Sequence, residues 1–259
     1  MSLLEVRDLC KAFGGVVAAR HVSFSVAAGE LLALIGPNGA GKTTTFNLVG
    51  GQLAADAGQV TLADEDVTRL TPREKFRRGI GRTFQVAQTF PSMTLAENVQ
   101  MALISHRGRT RSLGPAARRL FREEAIAILG HVGMAELADR PGSTLAYGDV
   151  KRIELAVALA SQPKLLLMDE PTAGMAPKER AALMRLVAGI ARERAIGVLF
   201  TEHDMAAVFS HADRILVLMR GEVIAGGTPD EVRANERVKQ VYLGGSGTAA
   251  VLRARGASA

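Results

Sequence analysis

The stretch Gly36-Pro37-Asn38-Gly39-Ala40-Gly41-Lys42-Thr43-Thr44 constrains this chain more than any other. It has the form G-x-x-x-x-G-K-[ST], it follows five apolar residues (Leu31-Leu32-Ala33-Leu34-Ile35), and a helical stretch starts at Lys42. Glycines let the backbone curl until successive N–H groups point inward at phosphate oxygens. Lys42 then places a compact positive charge near the β and γ phosphates, and the Thr43 hydroxyl can ligate Mg²⁺. The helix N-terminus adds its own preference for anions. A glycine-rich turn could join a strand to a helix without binding anything, but the full spacing in its strand–loop–helix context reads as nucleoside triphosphate binding. The G-x-G-x-x-G of dinucleotide-binding folds does not follow this strand.

Such a loop needs a sheet to carry it, and the pattern supplies one. Residues 31–35, 165–168, 198–200 and 215–218 are apolar at every position. Strands of that kind expect cover on both faces, which is the habit of parallel strands in α/β sheets. Helical spacing runs through residues 177–194, where Leu183, Leu186, Val187 and Ile190 recur. Leu4, Val6 and Leu9 begin an apolar face, and Val22, Phe24 and Val26 alternate at period two, predicting an antiparallel β part. Arg220-Gly221 reads as a tight hairpin turn. From about residue 94 to 161 the pattern is helical with no buried strand. We therefore expect one α/β domain over residues 1–244: a mostly parallel core, about 1–86 and 162–244, with a helical subdomain inserted at about 87–161. Residues 245–259 are expected to form a flexible tail.

At 259 residues and 47% hydrophobic content the chain can bury a large core, so overall disorder is excluded. Cys10 is the single cysteine and has no intrachain partner, which excludes a disulfide scaffold. No run approaches the roughly 18 apolar residues of a membrane span. The first residues lack the basic start and apolar stretch of a secretion signal, so a cytoplasmic protein is expected.

A phosphate loop needs an acid at the end of a neighbouring strand to hold magnesium. Leu165-Leu166-Leu167-Met168 delivers Asp169 to that position, and Glu170 follows, placed to orient an attacking water or accept its proton. His203 ends the next buried strand, in Thr201-Glu202-His203-Asp204, and is a candidate γ-phosphate contact. Taken alone, a strand end with solvated acids or an exposed histidine would carry no function.

The order of these motifs resembles the nucleotide-binding subunits of ATP-binding cassette (ABC) transporters over roughly residues 3 to 244. The resemblance rests on the phosphate loop, Gln85, the signature-like Leu145-Ala146-Tyr147-Gly148-Asp149, Asp169-Glu170, Pro171-Thr172-Ala173-Gly174-Met175 and His203. It implies that residues 36–44 bind ATP and that Thr43, Gln85 and Asp169 attend the magnesium. It implies that Glu170 is the catalytic base and that Lys42, Gln85 and His203 complete the hydrolytic set. Phe13 occupies the place where an aromatic ring stacks on adenine. Residues Ala146, Tyr147, Gly148 and Asp149 are expected to face a nucleotide held by a second subunit, with the helix of residues 149–160 behind them. Two departures stand out. The usual signature begins Leu-Ser-Gly-Gly, whereas Ala146 and Tyr147 stand here, and Ala176 replaces a customary acid or amide.

The finer resemblance is to the longer ATPase subunit of branched-chain amino-acid importers, the LivG type. It rests on Arg82-Thr83-Phe84-Gln85, the Leu-Ala-Tyr-Gly signature, Glu202-His203-Asp204-Met205, the segment from about Ser105 to Leu120 and the ending Tyr242-Leu243-Gly244. These variants are shared with urea-type importers. The implied partners are transmembrane permease subunits, a second and shorter ATPase subunit (or a second copy) and, indirectly, a substrate-binding protein, at the cytoplasmic face of the membrane. Two other classes fit part of the pattern. One is a soluble cassette ATPase acting on nucleic acid, for which the long coiled-coil insert or second cassette is missing, so no nucleic acid is expected. The other is a regulatory module that binds ATP without hydrolysing it. Arg107, Arg109, Arg111, Arg118, Arg119 and Arg122 form an acid-free run equal to the whole +6 net charge. It reads as a solvated face or as a contact with anionic lipid or permease.

Overall fold

The computed structural model describes residues 2–83, 89–108 and 120–243. In chain order the elements are β1 (Ser2–Phe13), β2 (Val16–Ala27), β3 (Leu31–Ile35), α1 (Lys42–Gly50), β4 (Ala57–Leu62), β5 (Glu65–Asp66), α2 (Pro72–Arg77) and β6 (Ile80–Thr83). Then come α3 (Leu95–His106), α4 (Arg122–His131), α5 (Tyr147–Leu159), β7 (Leu165–Asp169), α6 (Pro177–Glu193), β8 (Gly197–Thr201) and α7 (Met205–His211). The described part closes with β9 (Arg214–Met219), β10 (Glu222–Gly227), α8 (Pro229–Ala234) and α9 (Glu236–Leu243).

Two sheets result. An antiparallel sheet runs β2-β1-β4-β5, and a six-stranded sheet runs β10-β9-β3-β8-β7-β6. In the second, β9, β3, β8, β7 and β6 are parallel, and β10 returns antiparallel along β9. The turn between β9 and β10 is Arg220-Gly221, with φ of 49° and 82°, the left-handed pair that a two-residue hairpin of this hand requires.

The four continuously apolar runs are β3, β7, β8 and β9, and their two faces divide cleanly. Leu31, Ala33 and Ile35 of β3 enter one core with α3, α5 and α6, while Leu32 and Leu34 enter another with β1, β2 and α1. Strand β7 divides the same way, Leu166 and Met168 to the first core and Leu165 and Leu167 to the second. Alternation is absent from the sequence because no face of these strands meets water. Strands β1 and β2 cover one core only. There Leu4, Val6, Leu9, Val22 and Val26 are buried and their neighbours are exposed or half-buried.

Between β6 and β7 the described residues form α3, α4, α5 and two short 3-10 turns, with no strand of either sheet. Helix α3 starts at a capping box: Thr94 accepts from the Glu97 N–H, and Glu97 reaches back to the Thr94 N–H at 2.9 Å.

Two arginines of the run, Arg107 and Arg122, fall among the described residues and are half-exposed. Arg107 pairs with Glu124 at 2.6 Å and lies over the Phe121 ring, and Arg122 pairs with Asp139 at 2.7 Å. Acids outside the run thus neutralise two of its charges, because α4 brings Glu124 back beside the end of α3. Arg109, Arg111, Arg118 and Arg119 lie outside the described residues, as do Gln85 and the tail.

Candidate active site

In the six-stranded sheet β3, β8 and β7 are consecutive, so the segments that follow them emerge side by side at one edge. Residues 36–41 follow β3, Asp169 and Glu170 stand at the end of β7, and His203 follows β8. A cavity of about 400 Å³ opens there, lined by Phe13, Asn38, Gly39, Ala40, Gly41, Lys42, Thr43, Thr44, Asp169, Glu170 and His203. Val16, Val17, Ala18 and Thr201 also line it, and sequence reasoning had not picked them out.

The phosphate loop is a backbone structure. Gly41 has φ of 101°, and a Cβ there would lie 2.3 Å from the Ala18 carbonyl oxygen of β2. Only glycine lets the loop pass so close to β2 and turn directly into α1, whose Thr45 N–H bonds back to the Gly41 carbonyl at 2.9 Å. The hairpin turn braces the same loop: the Gly221 N–H donates to Ala40 O and the Arg20 N–H to Gly221 O, both at 2.8 Å. Gly36 and Pro37 do not line the cavity. Their carbonyls accept from Lys42 Nζ at 2.6 and 3.1 Å. Burial pushes the Lys42 ammonium pKa down, and the negative charges of Glu170 and Asp169 oppose that shift. A cation held only by neutral carbonyls beside two carboxylates is suited to an anionic ligand.

Asp169 is held by its neighbours. Thr201 Oγ1 donates to Asp169 Oδ1 at 2.6 Å, and an Arg82 guanidinium nitrogen stands 3.7 Å from Oδ2. Arg82 also donates to Asn47 Oδ1 at 2.9 Å and stacks 4.9 Å from the Phe46 ring centroid, tying α1 to the end of β7. Burial lowers the Arg82 pKa, with Asp169 opposing.

Glu170 adopts φ of 47°, a left-handed conformation that costs a non-glycine residue about 1 kcal/mol or more. Its N–H reaches Thr201 O and Oγ1, each at 3.1 Å, and its Oε1 lies 2.8 Å from His203 Nε2. A carboxylate directed by an imidazole at hydrogen-bond distance is an arrangement for moving a proton. Phe13 ends β1 with 47% exposure, and with Val16 and Val17 it gives the cavity an exposed apolar wall.

Residues 146–149 do not line this cavity. Ala146 is the N-cap of α5 with no side-chain cap bond, and the helix begins at Tyr147, two residues before the expected start at Asp149. It begins early because Ala146 is already extended and its carbonyl accepts both the Asp149 and the Val150 N–H groups. Tyr147 Oη donates to the Ala173 carbonyl at 3.0 Å, so the tyrosine packs on its own chain beyond Glu170.

Residues 19–173 match the family described as "ABC transporter", which spans the phosphate loop, Asp169 and Glu170. The chain belongs to the ABC transporter family. Residues 222–248 of the cassette also match "Branched-chain amino acid ATP-binding cassette transporter". The cassette is 39% identical over 249 residues to the high-affinity branched-chain amino acid transport ATP-binding protein BraF of Pseudomonas aeruginosa, covering 93% of this chain and 98% of BraF. It is 38% identical over 250 residues to LivG of Escherichia coli K12, which carries the same description. It is 36% identical over 244 residues to the lipopolysaccharide export system ATP-binding protein LptB of Haemophilus influenzae, covering 94% of this chain and 98% of LptB. Among solved structures it is similar to the ADP conformation of MJ1267, an ATP-binding cassette of an ABC transporter, with TM-score 0.82 and 31% identity over 95% of this chain and all of that one. The fold class expected from the motifs is the fold observed, and the chain is an ABC ATPase domain.

Proposed function

We propose that this cassette hydrolyses ATP to power an importer, and that branched-chain amino acids are the class transported. The observation that carries the hydrolytic part is the convergence of Lys42, Asp169 and the bonded pair Glu170–His203 on one cavity. The transported class is supported by the match at residues 222–248 and by the full-length likeness to BraF and LivG. The cavity residues recognise a nucleotide, so the amino acid is met by other subunits.

In this reading Lys42 leaves the Gly36 and Pro37 carbonyls for the β and γ phosphates. Gly39, Ala40 and Gly41 supply backbone N–H groups, and Phe13 lies against the base. Thr43, Asp169 and Gln85 would hold Mg²⁺ and its waters, a donor set of hydroxyl, carboxylate and amide oxygens suited to that ion. Mg²⁺ when bound neutralises charge on the β and γ phosphates. Glu170 orients the attacking water and takes its proton, and His203 fixes the Glu170 carboxylate and contacts the γ-phosphate. Residues 146–149 of one cassette face the phosphate loop of another, either a shorter ATPase subunit or a second copy.

Among the described residues no helix is long and apolar enough to cross a membrane. The path across is therefore assigned to permease subunits, with the cassette peripheral on the cytoplasmic face. Residues 87–161 form the helical subdomain of this reading, and 245–259 its tail.

Two measurements test it. Glu170→Gln should leave ATP binding intact and lower turnover by about 10²–10⁴-fold. Wild-type cassette that hydrolyses no ATP with its partner subunits would instead make it a regulatory binder. In cells lacking the gene, the wild type should restore uptake of labelled leucine and Glu170→Gln should not. Restoration of urea uptake alone would move the transported class.

A further inference from the structure

Glu202 is a buried carboxylate at the end of β8, 4% exposed. Its Oε1 accepts from the Thr172 N–H at 2.9 Å and from Thr172 Oγ1 at 2.5 Å. Its Oε2 accepts from the His203 N–H at 3.1 Å. Thr172 is 1% exposed and lies two residues beyond Glu170. One carboxylate thus joins the segment that follows the general base to the residue that bonds it.

Taking an ionised carboxylate out of water is costly, and here three N–H and O–H donors offset that cost. The tie is not needed to align the strands. Strands β7 and β8 are already in register through Asp169↔Thr201, and the Glu170 N–H bonds to Thr201. Beyond that last rung neither segment belongs to a strand, and the 2.8 Å approach of Glu170 Oε1 to His203 Nε2 depends on where each is held. Glu170 also sits in a left-handed conformation, which persists only where the surroundings over-determine it. The turn after it is closed by the Ala173 N–H on Glu170 O at 3.1 Å, and Glu202 grips Thr172 in the middle of that turn.

We propose that Glu202 is a positioning residue for hydrolysis: by bridging Thr172 to the His203 backbone it sets the approach of the Glu170 carboxylate to the imidazole. This rests on Glu170 being the base and His203 its partner. A glutamine at 202 turns an N–H₂ toward one of the two donor sets, so it can hold Thr172 or His203 but not both.

The test uses the full chain assembled with its partner subunits for ATP turnover, and the chain itself for ATP affinity and melting temperature, each measured on every variant. Glu202→Gln should lower kcat by about 10- to 100-fold, with KM for ATP changed by less than about threefold. Thr172→Val should do the same, and Thr172→Ser, which keeps the hydroxyl donor, should recover most of the rate. The double variant Glu202→Gln/Thr172→Val should be little worse than either single one, because both break the same bridge. Unchanged kcat in folded Glu202→Gln and Thr172→Val overturns the proposal, as does a kcat loss that tracks lost ATP affinity and lost melting temperature together. Should Glu202→Gln fail to fold, the Thr172→Val and Thr172→Ser pair decides: equal rates in the two overturn it. Glu170→Gln is measured alongside. Turnover surviving there removes the base assignment, whereas its collapse beside unaffected Glu202 and Thr172 variants removes this proposal alone.

Discussion

Lys75 shows what a single buried charge does in this cassette. It is 1% exposed, and its ammonium donates to Leu48 O and Val49 O at the C-terminal end of α1, where the helix leaves carbonyls without intrahelical partners. Burial pushes its pKa down to about 8, and the Asp66 charge opposes the shift only weakly. The folded value lies below the unfolded one. Between pH 8 and 10.5 the unfolded chain therefore holds a proton that the folded chain has released, and stability rises with pH across that window. Relative to Lys75→Met, the wild type should gain at most about 3 kcal/mol over this range, read from urea unfolding at each pH. A difference that stays flat would show that Lys75 does not titrate as a buried group. Residues of this kind were the least legible in the sequence. Lys42 announces itself by the spacing of its loop, and Asp169 and Glu170 by following an apolar run, but Thr201, Thr172 and Glu202 act by reaching across strand ends about thirty residues apart. No local pattern encodes such a reach.

At the scale of elements, three helices at or near the site start without a side-chain cap, α1 at Gly41 and two more at alanines. Ala146 precedes α5 and Ala176 precedes α6, both extended, with ψ of 155° and 150°. Both alanines belong to the departures from the resembled pattern, which also include Tyr147, and the structure gives the two alanines a local cost. An N-cap serine or aspartate bonds a first-turn N–H and stabilises a helix by about 1 kcal/mol over alanine. Ala176→Asp should therefore raise the melting temperature by about 2–4 °C for a domain of this size, measured by calorimetry; no rise would mean that the Pro177 turn already satisfies that helix end. At α5 the tyrosine after the cap compensates. Its Oη bond to Ala173 fastens the helix start to the segment after Glu170, and Lys151 Nζ lies 5.7 Å from its ring. The strand β6 (Ile80–Thr83) escaped a pattern reading for a different reason. It is an edge strand of four residues that includes Gly81 and Arg82, too short and too mixed to show a period.

At the scale of the whole molecule, the six-stranded sheet separates two apolar cores and belongs to both. Phe200 of β8 fills one, and Phe46 of α1 fills the other; both are fully buried. Either residue changed to alanine should cost about 3–5 kcal/mol, and the loss should lower one shared unfolding transition because every central strand contributes to both cores. Separate transitions for the two variants in calorimetry would show that the cores melt independently. This sharing is also why the fold class could be read early: a strand with water on neither side writes an unbroken apolar run, and four such runs beside a phosphate loop leave few architectures. The antiparallel sheet was visible only in part, since β4 and β5 are short and mostly exposed.

The strand order carries a consequence for synthesis. Both neighbours of β3 in the sheet, β8 and β9, come from the last third of the chain. On the ribosome the five apolar residues of β3 emerge early and cannot pair until residues 197–219 have been made. Through that interval the nascent chain presents an unpaired, wholly apolar strand, the kind of surface that invites misassociation and chaperone capture. The nucleotide pocket closes only at the same late moment. Residues 197–219 must therefore have been made before ATP can meet a complete site.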